Sequence, residues 1–300
     1  MRKNELAHHH NYLLDDYLIS ENERRTLTVV FVTAMTMLIE IIAGYLTGSM
    51  ALLADGWHMA SHAGALAISY FAYKLARSEK LTLKFSFGAG KFIPLGGYTS
   101  AIVLALIALW MAGQSVSRLL NPVPIYFDEA LVVCTVGLIV NILCARVLSA
   151  HHEEEQGHGH VHDHNLRSAY FHVLADAFTS ILALVALLFG KFYRVVWLDP
   201  LMGLVGSALI LRWAYLLCKE TVWELLDGHA KAINQNEIRQ AITKTGATVS
   251  DLHVWRIAPS AYACEVVVCS KQKRGTAYYR ELLLRVHPFG HLTIEEIEQS

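Results

Sequence analysis

Six stretches of the chain run apolar for roughly the ~20 residues that a helix needs to cross the hydrocarbon core of a bilayer. They are residues 26–47, 53–76, 93–119, 128–149, 168–190 and 196–217. Lengths of this kind predict a bundle of membrane-spanning helices. After about residue 218 the pattern changes to that of a small soluble domain. In "NEIRQAITKTG", Ile238, Ala241 and Ile242 recur at helical spacing before a stopping Gly246. "DLHVWRIA" and "AYACEVVVCS" have the β-rich character of paired strands, joined through Pro259. A second helix, "TAYYRELLLRV", and a last strand, "HLTIEEIE", complete an αββαβ order.

That order predicts a compact α+β layer of the ferredoxin-like kind. The expected fold is therefore an α-helical membrane protein, a six-helix transmembrane bundle followed by a small cytoplasmic α+β domain. Its parts are an N-terminal tail (1–25), the membrane domain (26–217) and the C-terminal domain (218–300). Orientation follows from where the cations fall. Arg24 and Arg25 precede the first span, Lys74, Arg77, Lys80, Lys84 and Lys91 crowd the link between the second and third, and Arg146 and Arg167 flank the link between the fourth and fifth. Those links are expected in the cytoplasm, and with them both termini. On the other side "TGSM" has no cation and "NPVPIYFDE" is acidic with only Arg118 near it, although Lys191 and Arg194 run against the trend.

Composition agrees with a membrane protein, since 54% of the 300 residues are hydrophobic and only 17% charged. A net charge of −1 says little about partners, but Lys and Arg gather at the ends of apolar runs and form no patch suited to nucleic acid. Cys134, Cys144, Cys218, Cys264 and Cys269 show no C-x-x-C pairing and read as buried small hydrophobes. The first two dozen residues are polar and acidic, without the apolar core of a cleavable signal, so the N-terminus is expected to be retained.

The chemistry lies inside the apolar runs. His58 and His62 are four apart, hence on one helical face, and Asp55 lies one turn earlier on nearly the same face. The fifth run repeats the arrangement with His172 and Asp176 in "YFHVLADAFTS". Ionisable groups at membrane depth are costly unless paired or hydrated, and they mark transport paths. One such His alone reads equally well as an interhelical hydrogen-bonding group. Two His-containing pairs on two helices supply four ligands, three imidazoles and a carboxylate. That set suits Zn²⁺, Co²⁺ or Ni²⁺ and suits Mg²⁺ or Ca²⁺ poorly. Imidazole titrates near pH ~6.5 and binds metal only when deprotonated, so protons and metal compete for the same nitrogens. Exchange of H⁺ for M²⁺ follows. A third cluster, "HHEEEQGHGHVHDHN" (151–165), places His158, His160, His162 and His164 in a flexible chelating tract, with His8, His9 and His10 a weaker copy in the tail. Glu40 and Asn141 either line the cavity or hydrogen-bond between helices, and the sequence assigns neither a role.

"SMALLADGWHMASHAGAL", "FSFGAGK", "HNLRSAYFHVLADAFTSILA", "WLDPLMGLVGSALILRWAYLL" and "DLHVWRI" together resemble the cation diffusion facilitator family over nearly the whole chain. The resemblance implies a homodimeric, proton-coupled exporter of divalent metals in the bacterial inner membrane, with the metal as substrate and no prosthetic group. Zinc exporters of that family typically end the second-helix motif in Asp, whereas this chain has His62. Together with "DHNLRSAYFHVLADA", that departure is similar to the DmeF-like branch, which exports cobalt and nickel; a zinc-preferring exporter is the alternative. Zinc-binding relatives carry His where this chain has Ser250 and Glu265, so a binuclear site in the C-terminal domain is not expected despite His253, His287 and His291. By the same resemblance Lys91 and Asp227 form a charge interlock between the membrane and cytoplasmic parts.

Two rival classes fare worse. An intramembrane metalloenzyme needs an open metal position and a base, as in H-E-x-x-H, and no such motif occurs. A metal sensor or storage protein working through the His-rich tract leaves the paired intramembrane residues unexplained.

Overall fold

The computed structural model describes residues 23–149 and 163–298. Up to Leu225 the described chain is helical: α1 Glu23–Thr47, α2 Met50–Ala76, the single turn α3 Glu79–Thr82, α4 Phe92–Leu120, α5 Phe127–Ser149, α6 Asp163–Tyr193 and α7 Leu198–Leu225. Each predicted apolar run falls within one long helix or overlaps it closely. Among the described residues, Phe92–Leu120, Phe127–Cys144 and Leu198–Leu225 are long and apolar enough to cross a membrane, and Phe31–Thr47 and Ala177–Tyr193 are shorter apolar helices. Large apolar side chains such as Leu46, Leu106 and Val132 face outward. In water they would be a liability; against lipid tails they are the expected exterior.

The chain packs as two compact units, which divide within α2, within α4 and at Leu217/Cys218. The first holds the described chain up to Ala67 together with Ser100–Leu217. Within it, α2 begins three residues before the apolar run does, and the cause is distant in sequence. Asp199, in the first turn of α7, accepts hydrogen bonds from Met50 N (2.7 Å), Ala51 N (3.1 Å) and Ser49 Oγ (2.6 Å), and Ser49 Oγ in turn accepts from Leu52 N (3.1 Å). Three amides that a helix start leaves without intrahelical partners are thereby satisfied inside the protein. The preceding Gly48 sits at φ 74°, and a Cβ there would lie 2.8 Å from Pro124 O. Arg118 of α4 donates to Gly48 O and closes the corner.

The second unit comprises Ile68–Thr99 and Cys218–Ser300. α7 runs eight residues past the predicted end at 217, because "CKETVWEL" contains neither Gly nor Pro; it stops before Asp227, at φ 54°, and Gly228. Beyond it come α8 Gln235–Thr243, β1 Thr248–Ala258, β2 Ala261–Ser270, α9 Thr276–Val286 and β3 His291–Glu298. β1 and β2 form an antiparallel hairpin, and α9 carries the chain across so that β3 pairs parallel to β2. Alternate residues point to one face of this sheet. Leu252, Val254, Cys264, Val266, Val268 and Leu292 there meet Ile238 and Ile242 of α8 and Tyr279 and Leu283 of α9 in one core. Burial pushes the Cys264 thiol up to about 12, so it behaves as an inert apolar group. All five cysteines are free.

The turn from β2 into α9 is held by Glu296. Its carboxylate accepts from Ser270 Oγ (2.8 Å), Arg274 N (3.0 Å) and Gly275 N (2.8 Å). Desolvation opposes ionisation, but the three hydrogen bonds and the nearby Lys273 together outweigh it and hold the carboxyl below its ordinary 4.5.

Two predictions follow from this unit. A folded-state value below the unfolded one means that Glu296 contributes stability above pH 4.5, lost as pH falls through its lower folded value. Glu296→Gln should therefore flatten the acid limb of thermal stability while lowering it at neutral pH; an unchanged profile between pH 3 and 6 would dismiss the turn as a determinant. In the core, Leu283 is fully buried and Tyr279 Oη has no hydrogen-bond partner among the described residues. Leu283→Ala should cost ~2–5 kcal/mol in thermal or denaturant unfolding, whereas Tyr279→Phe should be neutral or stabilising. Equal losses in the two variants would mean that the phenol is bonded after all.

Candidate functional site

α2 carries Asp55 and His58 into the interior of its unit. Asp55 is 3% and His58 2% exposed, both on turns flanked by buried Leu53, Ala54 and Met59. Thr179 Oγ1 of α6 donates to Asp55 Oδ1 at 2.8 Å. The His58 imidazole lies 5.0 Å from the Trp213 ring of α7, inclined at 39°. Asn141 of α5 donates from Nδ2 to Ser180 Oγ at 3.2 Å and points at Met59 Sδ at 3.9 Å. Glu40 of α1 is fully buried, with its carboxyl laid over Gly137 of α5, where any Cβ would collide with Oε1. Five helices thus send polar side chains or rings toward one interior region.

The Asp55 to Thr179 bond fixes how α2 and α6 face each other. Farther along, Ala51 and Leu52 of α2 share a buried cluster with Ala183, Ala186 and Leu187 of α6, so the two helices run antiparallel. On such a pair, a step forward on one helix is level with the same step backward on the other. Three residues on from Asp55 is position 58, and three back from Thr179 is position 176. Seven residues on is position 62, and seven back is 172. Steps of three and seven stay on one helical seam. The backbone register therefore puts position 58 level with 176, and 62 level with 172. The side chains of His62, His172 and Asp176 lie outside the described residues, as do His158, His160 and His162, the side chain of His164, and the N-terminal His8, His9 and His10.

The second unit brings Lys91 and Asp227 together, with Lys91 Nζ 2.8 Å from Asp227 Oδ1. Lys91 also donates to Glu224 O, and Arg256 Nη1 of β1 pairs with Glu224 Oε1 at 2.7 Å. Gly90 lies so close to Ile257 O that no side chain fits, and Phe87 meets the Trp255 ring edge-on at 6.0 Å. The "FSFGAGK" segment is thus seated on the β1–β2 hairpin. The histidines of this unit are scattered. His253 Nε2 is 2.9 Å from Asp251 Oδ2, His287 packs against Tyr262 and Phe289, and His291 meets Phe87. Among the described residues no group of three or more His, Cys, Asp or Glu is arranged to hold a metal ion.

Sequence reasoning missed the roles of Asp199, Thr179, Trp213 and Arg256. Asp199 did carry a signal, a carboxylate directly before Pro200 at the head of an apolar run, the signature of a helix start. The others are ordinary residues whose partners sit on other elements.

Comparison with known proteins agrees with this architecture. The zinc transporter ZitB of Pectobacterium atrosepticum is 29% identical over 97% of this chain and 88% of its own length. The cadmium, cobalt and zinc/H⁺-K⁺ antiporter of Bacillus velezensis is 30% identical over 88% of this chain and 82% of its own. The metal cation efflux system protein CzcD of Cupriavidus metallidurans is 27% identical over 79% and 72%. The model of the cation efflux transmembrane domain matches residues 26–226, a stretch that runs from within α1 to the end of α7 and includes both candidate pairs. With that match covering two thirds of its length, the chain belongs to the cation efflux family of membrane transporters.

Proposed function

We propose that the protein exports divalent transition-metal ions in exchange for protons, by alternating access around His58, His62, His172 and Asp176. The observation that carries this reading is the α2–α6 register, in which a hydrogen bond between Asp55 and Thr179 sets the two candidate pairs level with each other. A transition-metal ion then meets three imidazoles and one carboxylate between two helices. The ligands must be deprotonated to bind, so metal leaves most readily where protons arrive. The antiporter name of the Bacillus velezensis relative is in keeping with that coupling.

On metal identity, the relatives' names favour zinc over the cobalt and nickel preference that His62 implies. Imidazole-rich sites take all three ions, with zinc bound about as readily as cobalt or nickel. The proposed cargo is zinc first, with cobalt within range.

Six membrane crossings, cytoplasmic termini, an inner-membrane location and a homodimer complete the reading. The six long helices and the cations beside their ends support the first two. The αββαβ order of the C-terminal elements, from α8 to β3, supports the ferredoxin-like reading of that part. Lys91 and Asp227, 2.8 Å apart, serve as the interlock between the start of α4 and the end of α7. The tract His158, His160, His162 and His164 collects metal at the cytoplasmic entrance.

Two experiments test this. In proteoliposomes, His58→Ala and Asp176→Ala should each abolish metal-driven transport while the purified variants keep the wild-type melting profile; full transport by both would remove the site assignment. Metal-dependent proton flux compared across Zn²⁺, Co²⁺, Ni²⁺, Mn²⁺ and Cd²⁺ should be at least as large for Zn²⁺ as for Co²⁺ or Ni²⁺. A response confined to Co²⁺ and Ni²⁺ would return the cobalt–nickel reading, and metal flux without proton flux would end the exchange mechanism.

A further inference from the structure

Trp213 belongs to α7, a helix that supplies no candidate ligand, yet its ring lies 5.0 Å from the His58 imidazole. The contact is the last in a continuous seam between α2 and α7. At its head, Asp199 of α7 binds Met50 N and Ala51 N of α2. One turn on, a Cβ on Gly203 would lie 3.0 Å from Met50 Cβ, and on the next turn a Cβ on Gly206 would lie 3.0 Å from Ala54 Cβ. Ala54 and Ile210 then share a buried cluster. His58 and Trp213 follow. Positions 50, 54 and 58 recur every four residues along α2, and 203, 206, 210 and 213 every three or four along α7, so both sets keep to one face. Between the Asp199 clamp and Trp213 the α7 side of this seam is Gly, Gly and Ile, which lets the backbones approach closely. An indole at the end of such a tight seam has little freedom to move away.

We infer that Trp213 is a positioning residue: its face fixes the orientation of the His58 ring, so that α7 forms a wall of the transport site without ligating the metal. This rests on reading His58 as a ligand. A metal-binding imidazole is useful only when its ring plane is set in advance, a task that neighbouring groups commonly perform. Losing an aromatic neighbour should weaken metal binding roughly three- to tenfold, the effect expected of one ring pair.

The test uses the full-length protein in proteoliposomes and in detergent, with Co²⁺ as the probe because its visible absorption reports ligand geometry. Trp213→Leu should raise the Co²⁺ KM roughly three- to tenfold with kcat within about twofold, and should alter the Co²⁺ band. Trp213→Phe should restore both. Should the Leu variant not fold, Trp213→Met carries the same comparison. A wild-type KM and spectrum in the Leu or Met variant, where His58→Ala abolishes binding, would overturn the proposal and leave the ligand assignment standing. Equal losses in the Phe and Leu variants would also overturn it, because a packing role needs no aromatic face. Wild-type Co²⁺ affinity and spectrum in His58→Ala would remove the ligand assignment itself and this inference with it.

Discussion

The hydrogen bond from Thr179 to Asp55 constrains more of this protein than its own strength suggests. Between membrane helices such a bond is worth only ~0.6 kcal/mol on average. Its effect lies in register. A slip of one turn between α2 and α6 would displace facing positions by ~5.4 Å along the axis, farther than any metal–ligand bond spans. With Asp55 and Thr179 joined, position 58 is level with 176, and 62 with 172. Their alternative would be a buried carboxylate and hydroxyl facing hydrocarbon, which costs several kcal/mol. The penalty for the wrong register, more than the gain of the right one, keeps the helices where they are.

The same economy of polar contacts organises the rest of the first unit. Lipid tails are as apolar as Leu, so helices in a membrane gain little from burying Leu against Leu and depend on close packing and hydrogen bonds. Here glycines supply the close packing. Gly137 makes room for the Glu40 carboxyl, Gly203 and Gly206 admit Met50 and Ala54, and Gly48 turns the chain beside Pro124. At the same end Asp199 completes the start of α2 with a carboxylate from α7. A helix whose first amides are bonded by a neighbour is anchored to that neighbour, and α2 carries its histidines from a fixed origin.

What the sequence made legible was local. Each apolar run is continuous, so the long helices could be read directly, and the order of elements after residue 218 followed from period and turn residues alone. The two candidate pairs could be read because both members sit four residues apart on one helix. The contacts between the helices could not. Thr179 lies 124 residues from Asp55, and Trp213 reaches His58 from another helix. The start of α2 was read three residues late because the group that extends it, Asp199, is nearly 150 residues away. Helix ends are set by capping, and a cap borrowed from another helix leaves no trace in the local pattern. Glu40 and Asn141 stood out as polar residues in apolar runs, but only the packing against Gly137 and Ser180 says what they touch.

On the proposed reading, position 62 shows why ligand type alone does not choose the metal. Replacing the carboxylate of the usual zinc motif by an imidazole removes one negative charge and adds one nitrogen. That change lowers electrostatic attraction for every divalent ion alike, and it enriches the nitrogen that zinc, cobalt and nickel all accept. What separates these ions is geometry: zinc has no preference from its d-electrons and settles readily into a tetrahedral site. A transport site must also release its ion, so it has to be assembled and dismantled in each cycle. Selectivity then belongs to the elements that hold the rings as much as to the rings themselves. On the proposed reading these are Asp55 and Thr179 for the register of α2 with α6, and Trp213 for the plane of His58. Relatives sharing the ligands but differing in those supports would then transport different metals.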